Sequence, residues 1–317
     1  MSTPPAGTTE KKVFSRNDCM APLPVPTGEK PVDVLNTIWR KNDVCLDIGS
    51  YSIGSAVMTM WLMVAVVLAM SFFTRNLNSD FTFDILIVGG VIVGIPTLIL
   101  IQGLLSEVPL PIRFNRQRRE VCVPRDDGKY WIVPWESVTA AATQQSSVSQ
   151  AGKATMGLLI IGFENPDPLA EEDNKHFSLG FNCGGGTTAM ALWECMHSYM
   201  EIGPEAVPES RVGVPPYEKT QIGSLIVDLR KGDVLGVLWG VFCIVVLGTY
   251  LAEKAQNLKL SHPPDLPYPD IIEWSKPLPP EQWAKRSPEL EAAIAKRNAE
   301  LAAQAQKKSS PDTRAQR

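Results

Sequence analysis

Residues 53–73, IGSAVMTMWLMVAVVLAMSFF, and residues 85–105, ILIVGGVIVGIPTLILIQGLL, carry no charged side chain. About 20 consecutive apolar residues in a helix cover the ~30 Å of bilayer hydrocarbon, so each segment predicts a transmembrane helix. Leu, Ile, Val and Phe each favour insertion by a few tenths of a kcal/mol, and nothing ionic opposes them. Pro96 and the glycines of the second segment are tolerated in lipid, where neighbouring helices re-satisfy the backbone. The link Thr74–Asp84 is too short for a domain. The two helices therefore form an antiparallel hairpin, residues 53–105.

A third apolar run, Val234–Leu251, lies more than a hundred residues further on and predicts a third crossing. With no Asp, Glu, Lys, Arg or His inside any of the three, a proton relay or ion path is disfavoured. The spans read as anchors. Gly90 with Gly94, and Gly236 with Gly240, have the small-xxx-small spacing that lets helix backbones approach closely. They are candidate helix-packing positions and would serve a homo-oligomer through the membrane, with ordinary glycine enrichment in such helices as the simpler reading.

Basic residues set the orientation. Arg40 and Lys41 precede the hairpin, and Arg113, Arg116, Arg118 and Arg119 follow it, while the link holds only Arg75. The positive-inside bias puts the N-terminus and the segment after the hairpin in the cytoplasm. An odd number of crossings then sends the C-terminal tail outward, into the periplasm of a Gram-negative host. No apolar leader precedes Ile53, so the first span reads as a retained anchor.

Between the second and third spans, residues 111–203, the period changes. Ile112 and Phe114 alternate with Arg113 and Asn115 as on a half-buried strand, and Val121 and Val123 continue the pattern. Asp127-Gly128 predicts a hairpin turn into a strand over Tyr130–Val138. A Gln/Ser-rich loop, a buried strand over Met156–Phe163, an acidic loop and a strand over His176–Asn182 follow. A helix closes the segment, capped by Thr187 or Thr188 and ended by Gly203. Several antiparallel strands and one C-terminal helix have the layout of a small pleckstrin-homology-like (PH-like) barrel. The fold class expected is thus an α+β membrane protein, with three transmembrane helices and this domain between the second and third.

The remaining segments read as connections. Residues 1–52 predict a cytoplasmic N-terminal tail, 204–233 a linker, and 252–317 a Pro-rich and helical tail. Ser287 and Pro288 start a helix there. Its thin apolar stripe, Leu290, Ile294 and Leu301, is too narrow for a core and suits docking or partial order.

Candidate chemistry is sparse. The arginines at 113, 116, 118 and 119 sit next to a span, where each basic residue contributes about 1 kcal/mol at an anionic leaflet. They are the candidate contacts for anionic lipid or a partner, with a topogenic charge cluster as the alternative. Gly184-Gly185-Gly186 lacks the lysine and the spacing of a phosphate loop and reads as a flexible strand-to-helix connection. Asp167, Glu171, Glu172 and Asp173 share a loop that reads as solvent-facing. Cys195 and His197, two apart on a helix, point to different faces and make a poor metal pair. Six cysteines without a CxxC read as reduced thiols. No catalytic set can be nominated on spacing, so neither an enzyme nor a cofactor or metal is expected. A net charge of -4 argues against a nucleic-acid partner.

The run Pro109-Leu-Pro-Ile-Arg-Phe-Asn-Arg-Gln-Arg-Arg-Glu-Val, followed by Trp135 in Val-Pro-Trp-Glu, resembles an uncharacterised family of bacterial inner-membrane proteins. In that family a two-helix hairpin leads into this strand motif, and members are often encoded beside type VI secretion effectors. The resemblance covers residues 53 to 203. It implies a non-enzymatic immunity or accessory protein that binds an effector or a secretion component, and it carries no catalytic residue onto this chain. A membrane-tethered lipid-sensing or scaffold module is the alternative.

Overall fold

The computed structural model of the chain describes residues 5–309, apart from 13–14, 35, 52, 76–78, 150–151, 214–216 and 218–219. The chain divides into two compact units. One gathers 1–50, 110–210 and 265–317; the other gathers 51–109 and 211–264.

The first unit is a β body of two five-stranded antiparallel sheets. Its strands are β1 (Thr9–Lys11), β2 (Ser15–Ala21), β3 (Ile38–Lys41), β4 (Cys45–Ile48), β5 (Ile112–Asn115), β6 (Glu120–Pro124), β7 (Tyr130–Pro134), β8 (Thr139–Ser149), β9 (Gly152–Glu164) and β10 (His176–Asn182). The sheet orders are β1-β2-β8-β9-β10 and β3-β4-β5-β6-β7. Helix α3 (Gly186–Glu201) packs in the same core, with Leu192, Trp193, Met196 and Tyr199 against Leu46, Phe114, Val121 and Ile161. Trp135 stacks on Trp193 with centroids 5.3 Å apart and meets Phe114 edge-on at 5.8 Å.

Residues 1–52 are therefore not a tail. They supply four strands, and β4 pairs β5 from Cys45↔Asn115 to Ile48↔Ile112. The membrane hairpin is an insertion between two neighbouring strands of one sheet. Strand β8, read from sequence as a Gln/Ser-rich loop, is a central strand between β2 and β9. Its register is carried by partners on both sides, and the small Ala140 and Ala142 are buried on its inner face.

The residues after 264 also belong to this body. Helix α7 (Pro269–Trp274) and its flanks lie over the outer face of the second sheet, where Leu266 and Ile271 bury Cys122 beside Tyr130, Ile132, Tyr268 and Trp274. Helix α8 (Pro288–Ser309) begins as its sequence predicts, with the Ser287 hydroxyl accepting from Leu290 N–H at 3.1 Å. Its stripe docks on the chain itself: Leu290 is fully buried and Leu301 lies against Gly28.

The second unit holds α1 (Gly54–Thr74) and α2 (Ser79–Leu105), both long and apolar enough to cross a membrane. They pack antiparallel, and the close approach falls at Gly89, where a Cβ would stand 2.6 Å from Val67 Cγ1. At Gly90 and Gly94, the positions predicted for packing, an added Cβ would meet nothing within 4 Å among the described residues.

The predicted linker 204–233 contains α4 (Gln221–Lys231), and the predicted third span is not straight. It divides into α5 (Val234–Val246) and α6 (Thr249–Leu260), bent by 68°. Gly248 sits at the break with φ +67° and packs against Trp61 so tightly that a Cβ would fall 2.5 Å from the indole. Trp61 Nε1 donates to Val245 O at 2.8 Å, satisfying a carbonyl orphaned by the end of α5.

Residues 1–50, 110–210 and 265–317 gather in one unit. Among the described residues, two helices are long and apolar enough to cross a membrane, or three if the bent pair α5–α6 is one span.

Replacing Gly89 with Leu should lower the stability of the hairpin by about 1–3 kcal/mol, the usual cost of overpacking. Gly90→Leu, directed into open space, should leave the unfolding midpoint in detergent unchanged.

Candidate functional site: the arginine motif and the tail it holds

The motif that follows the hairpin turns sharply. Asn115 Oδ1 accepts from Gln117 N–H and Arg118 N–H, each at 3.1 Å, and Arg119 closes the turn with φ +54°. An Asx-type turn of this kind lets successive side chains fan outward from β5 and β6. Each of them then meets a defined group.

Arg113 forks onto Asp47 of β4, Nε to Oδ1 at 2.6 Å and Nη2 to Oδ2 at 2.7 Å, and also donates to Asp265 of the tail at 2.6 Å. Arg40 adds a contact of 3.0 Å to Asp265. Asn115 Nδ2 and Arg118 Nε both donate to Trp274 O, at 2.9 and 3.1 Å. Gln117 accepts Leu278 N–H on its side chain at 2.7 Å and Ala284 N–H on its backbone carbonyl at 2.8 Å. Trp274 Nε1 donates to Glu120 at 2.7 Å. Arg116 donates to Ile202 O at 3.2 Å and lies 5.3 Å over the ring of Trp283.

Arg119 reaches the C-terminal end of α3. It pairs with Glu201 at 2.8 Å, where Trp135 Nε1 donates at 2.9 Å and the tail's Arg286 pairs at 2.5 Å. Burial pushes the Glu201 carboxyl up, but these three partners outweigh it and hold the group below its usual range. Arg113 is shifted upward on the same logic: burial disfavours its charge, while Asp47 and Asp265 more than restore it.

The four arginines singled out by sequence are thus brought together, but inward. Arg113 and Arg119 are buried, and all four contact groups of this chain. Nearby Arg125 is held too, 4.5 Å over Trp131 and 4.3 Å over Phe177. What sequence reasoning missed is the other half of the site: Asp265, Trp274, Leu278, Trp283, Ala284 and Arg286. Their signal was present in the tryptophans, which a freely extended tail would leave exposed to water.

A second buried polar centre ties the N-terminal segment to α3. Glu194 accepts from Thr27 N–H at 2.7 Å and Thr27 Oγ1 at 2.6 Å, and its other oxygen meets Ser198 Oγ at 3.1 Å and His197 Nδ1 at 3.0 Å. Burial raises the Glu194 carboxyl, but the bonds from His197 and Thr27 leave it below its usual range. His197 Nε2 is buried without a hydrogen-bond partner among the described residues.

The other candidates carry no comparable geometry. Gly185 lies against β9, where a Cβ on Gly157 would stand 2.1 Å from the Gly185 carbonyl carbon, so this glycine run serves backbone packing. Asp167, Glu171, Glu172 and Asp173 face solvent. A polar cleft of about 410 Å³ runs between the β1–β2 hairpin and α8, but its Arg16 is paired with Asp18 and its Arg297 with Glu300. Of the other predicted packing glycines, Gly240 sits against Leu225 of α4 and Gly236 against its own cap, Asp233. Among the described residues no three His, Cys, Asp or Glu are grouped to hold a metal ion.

No family model, curated protein or solved structure matches this chain.

Removing Arg113 leaves Asp47, only 2% exposed, without its forked partner and with Arg40 as its remaining cation at 3.9 Å. Arg113→Ala should cost about 3–5 kcal/mol in detergent unfolding and open the 265–286 segment to protease. Glu201 and Glu194 have folded pKa values below the unfolded 4.5. Their contribution is complete above that value and is lost as pH falls through the folded one. Stability should therefore drop below about pH 4.5, and Glu201→Gln should flatten the acid limb. Burial lifts the thiols of Cys45, Cys122 and Cys195 to about 12 and that of Cys183 to about 11. All four should resist maleimide until the body unfolds.

Proposed function

We propose that this chain is an inner-membrane binding protein that acts through a preassembled, PH-like β body and performs no chemistry of its own. It serves as an immunity or accessory factor for an antibacterial effector of the type VI secretion class. The observation that carries the reading is the placement of the anchor. The hairpin connects paired strands β4 and β5, so both of its ends lead into one sheet of the body. A rigid platform loses little conformational entropy when it meets a partner, which suits recognition by contact.

The choice of effector class rests on the motif from Pro109 to Val121, whose resemblance points to that setting. The geometry adds a reason for the motif, since most of its polar side chains grip residues 265–287. The gathering of the N-terminal, middle and C-terminal segments in one unit supports a tail on the same side as the residues after the hairpin. A partner then meets a body composed of all three segments.

The lipid-sensing alternative drew on the arginine run. Those guanidinium groups hold Asp47, Asp265, Glu201 and backbone carbonyls, which leaves that reading without its motivating surface. A homo-oligomer through the membrane rests now on Gly90 and Gly94, where an added Cβ would meet nothing within 4 Å among the described residues.

The test is survival of a strain lacking this protein when siblings deliver the toxin encoded beside it. Killing that is reversed by the full chain, but not by an Arg113→Ala chain with its tail released, is the expected result. Unchanged survival together with unchanged toxin delivery would remove the proposal.

A further inference from the structure

We propose that α4, α5 and α6 form a re-entrant wedge that occupies one leaflet of the bilayer, entering and leaving on the face that carries the β body. The inference concerns lipid contact and does not depend on which effector, if any, the body meets. Parity is its first support: a chain that starts and ends in one folded body makes zero or two crossings between 211 and 264. Two crossings need two apolar segments of about 20 residues each. This stretch offers 13 in α5, about 20 Å of helix against ~30 Å of hydrocarbon. Helix α6 carries Glu253, Lys254, Gln256 and Lys259 and cannot serve as the second. Zero crossings remain.

Local geometry agrees. Gln221 N–H, at the start of α4, donates to Glu253 of α6 at 3.0 Å, so the path in and the path out are adjacent. Helix α6 returns to the end of the hairpin where α1 begins. There Gln256 donates to Tyr51 O at 3.0 Å and accepts from Ile53 N–H at 3.2 Å, and Lys259 donates to Ser106 O at 2.9 Å. The deepest corner, Gly248, lies against Trp61, seven residues or about 10 Å along α1 from Gly54. That depth is less than half of the hydrocarbon thickness.

The far end of the wedge is polar and capped. Gly232 closes α4 in the left-handed conformation, and Asp233 Oδ1 accepts from Gly236 N–H at 2.9 Å to open α5. Asp228, Arg230, Lys231 and Asp233 gather at this turn and require water or headgroups. Behind it, Leu235, Leu238, Trp239, Phe242 and Val245 of α5 are exposed in the protein. They continue the uncovered apolar surface of α1 and α2, so acyl chains are the occupant that this face fits. Leu225 of α4 packs down on Gly240, which seats the amphipathic α4 beside α5.

The test uses the full chain in sealed vesicles of defined orientation. Single cysteines replace Ser79, Asn165 and Lys231, with the unsubstituted chain as background, and are probed with a membrane-impermeant maleimide. Lys231→Cys should label from the same side as Asn165→Cys, with Ser79→Cys on the other. A C-terminal tag should be cleaved by protease on the Asn165 side, which covers the case of a poorly folded cysteine variant. In lipids brominated near the glycerol, Trp239 fluorescence should be quenched at least twofold more than in lipids brominated near the chain end. Trp239→Phe should remove that component. Labelling of residue 231 or tag cleavage from the Ser79 side overturns the proposal, as does a Trp239 that neither bromolipid quenches.

Discussion

The fork of Arg113 onto Asp47 is the contact on which the rest of the molecule depends. Its two bonds, 2.6 and 2.7 Å, join β5 to β4 across the whole membrane hairpin. A buried pair of this kind is tolerable only when the remaining donors and acceptors are satisfied. Asp265 and Ser275 of the tail supply partners for the other guanidinium positions. One arginine therefore obliges three distant segments to meet. Without the tail it would face water on one side and an incompletely satisfied carboxylate on the other.

From that contact the architecture follows in both directions. Inward, Phe114 and Val121 stand on the opposite face of the same sheet and pack with Trp135, Trp193 and α3. Outward, the face that a two-layer fold would leave wet is covered by Leu266, Ile271 and Trp274. At Gly248, with Trp61 donating to a freed carbonyl, the third apolar run bends by 68°.

Much of the β body was legible as a series of strands. Alternation at Ile112–Asn115, the Asp127-Gly128 turn, and the apolar run ending at Phe163 each reflect burial on one sheet face. Strands β2 and β8 were not legible. Their residues are small and polar, and they are strands because each has a partner more than a hundred residues away in β2's case and two partners in β8's. The arginine cluster was found, but its charges suggested an outward surface, since a local reading cannot see a carboxylate 66 or 152 residues distant. The glycine spacing pointed to Gly90 and Gly94, while the contact fell on Gly89, because helix rotation about its axis is set by the partner and not by a motif.

The sequence by itself determined that two charge-free helices of bilayer length form a hairpin and that a β-rich domain follows it. Those facts depend on transfer energies and local periodicity, which act residue by residue. Only the tertiary structure decided that the N-terminal and C-terminal segments belong to that same domain, and that an apolar run of suitable length is bent into two helices. These outcomes rest on pairing between remote segments and on one tryptophan filling the place of a missing Cβ. No window along the chain contains both partners of such a contact.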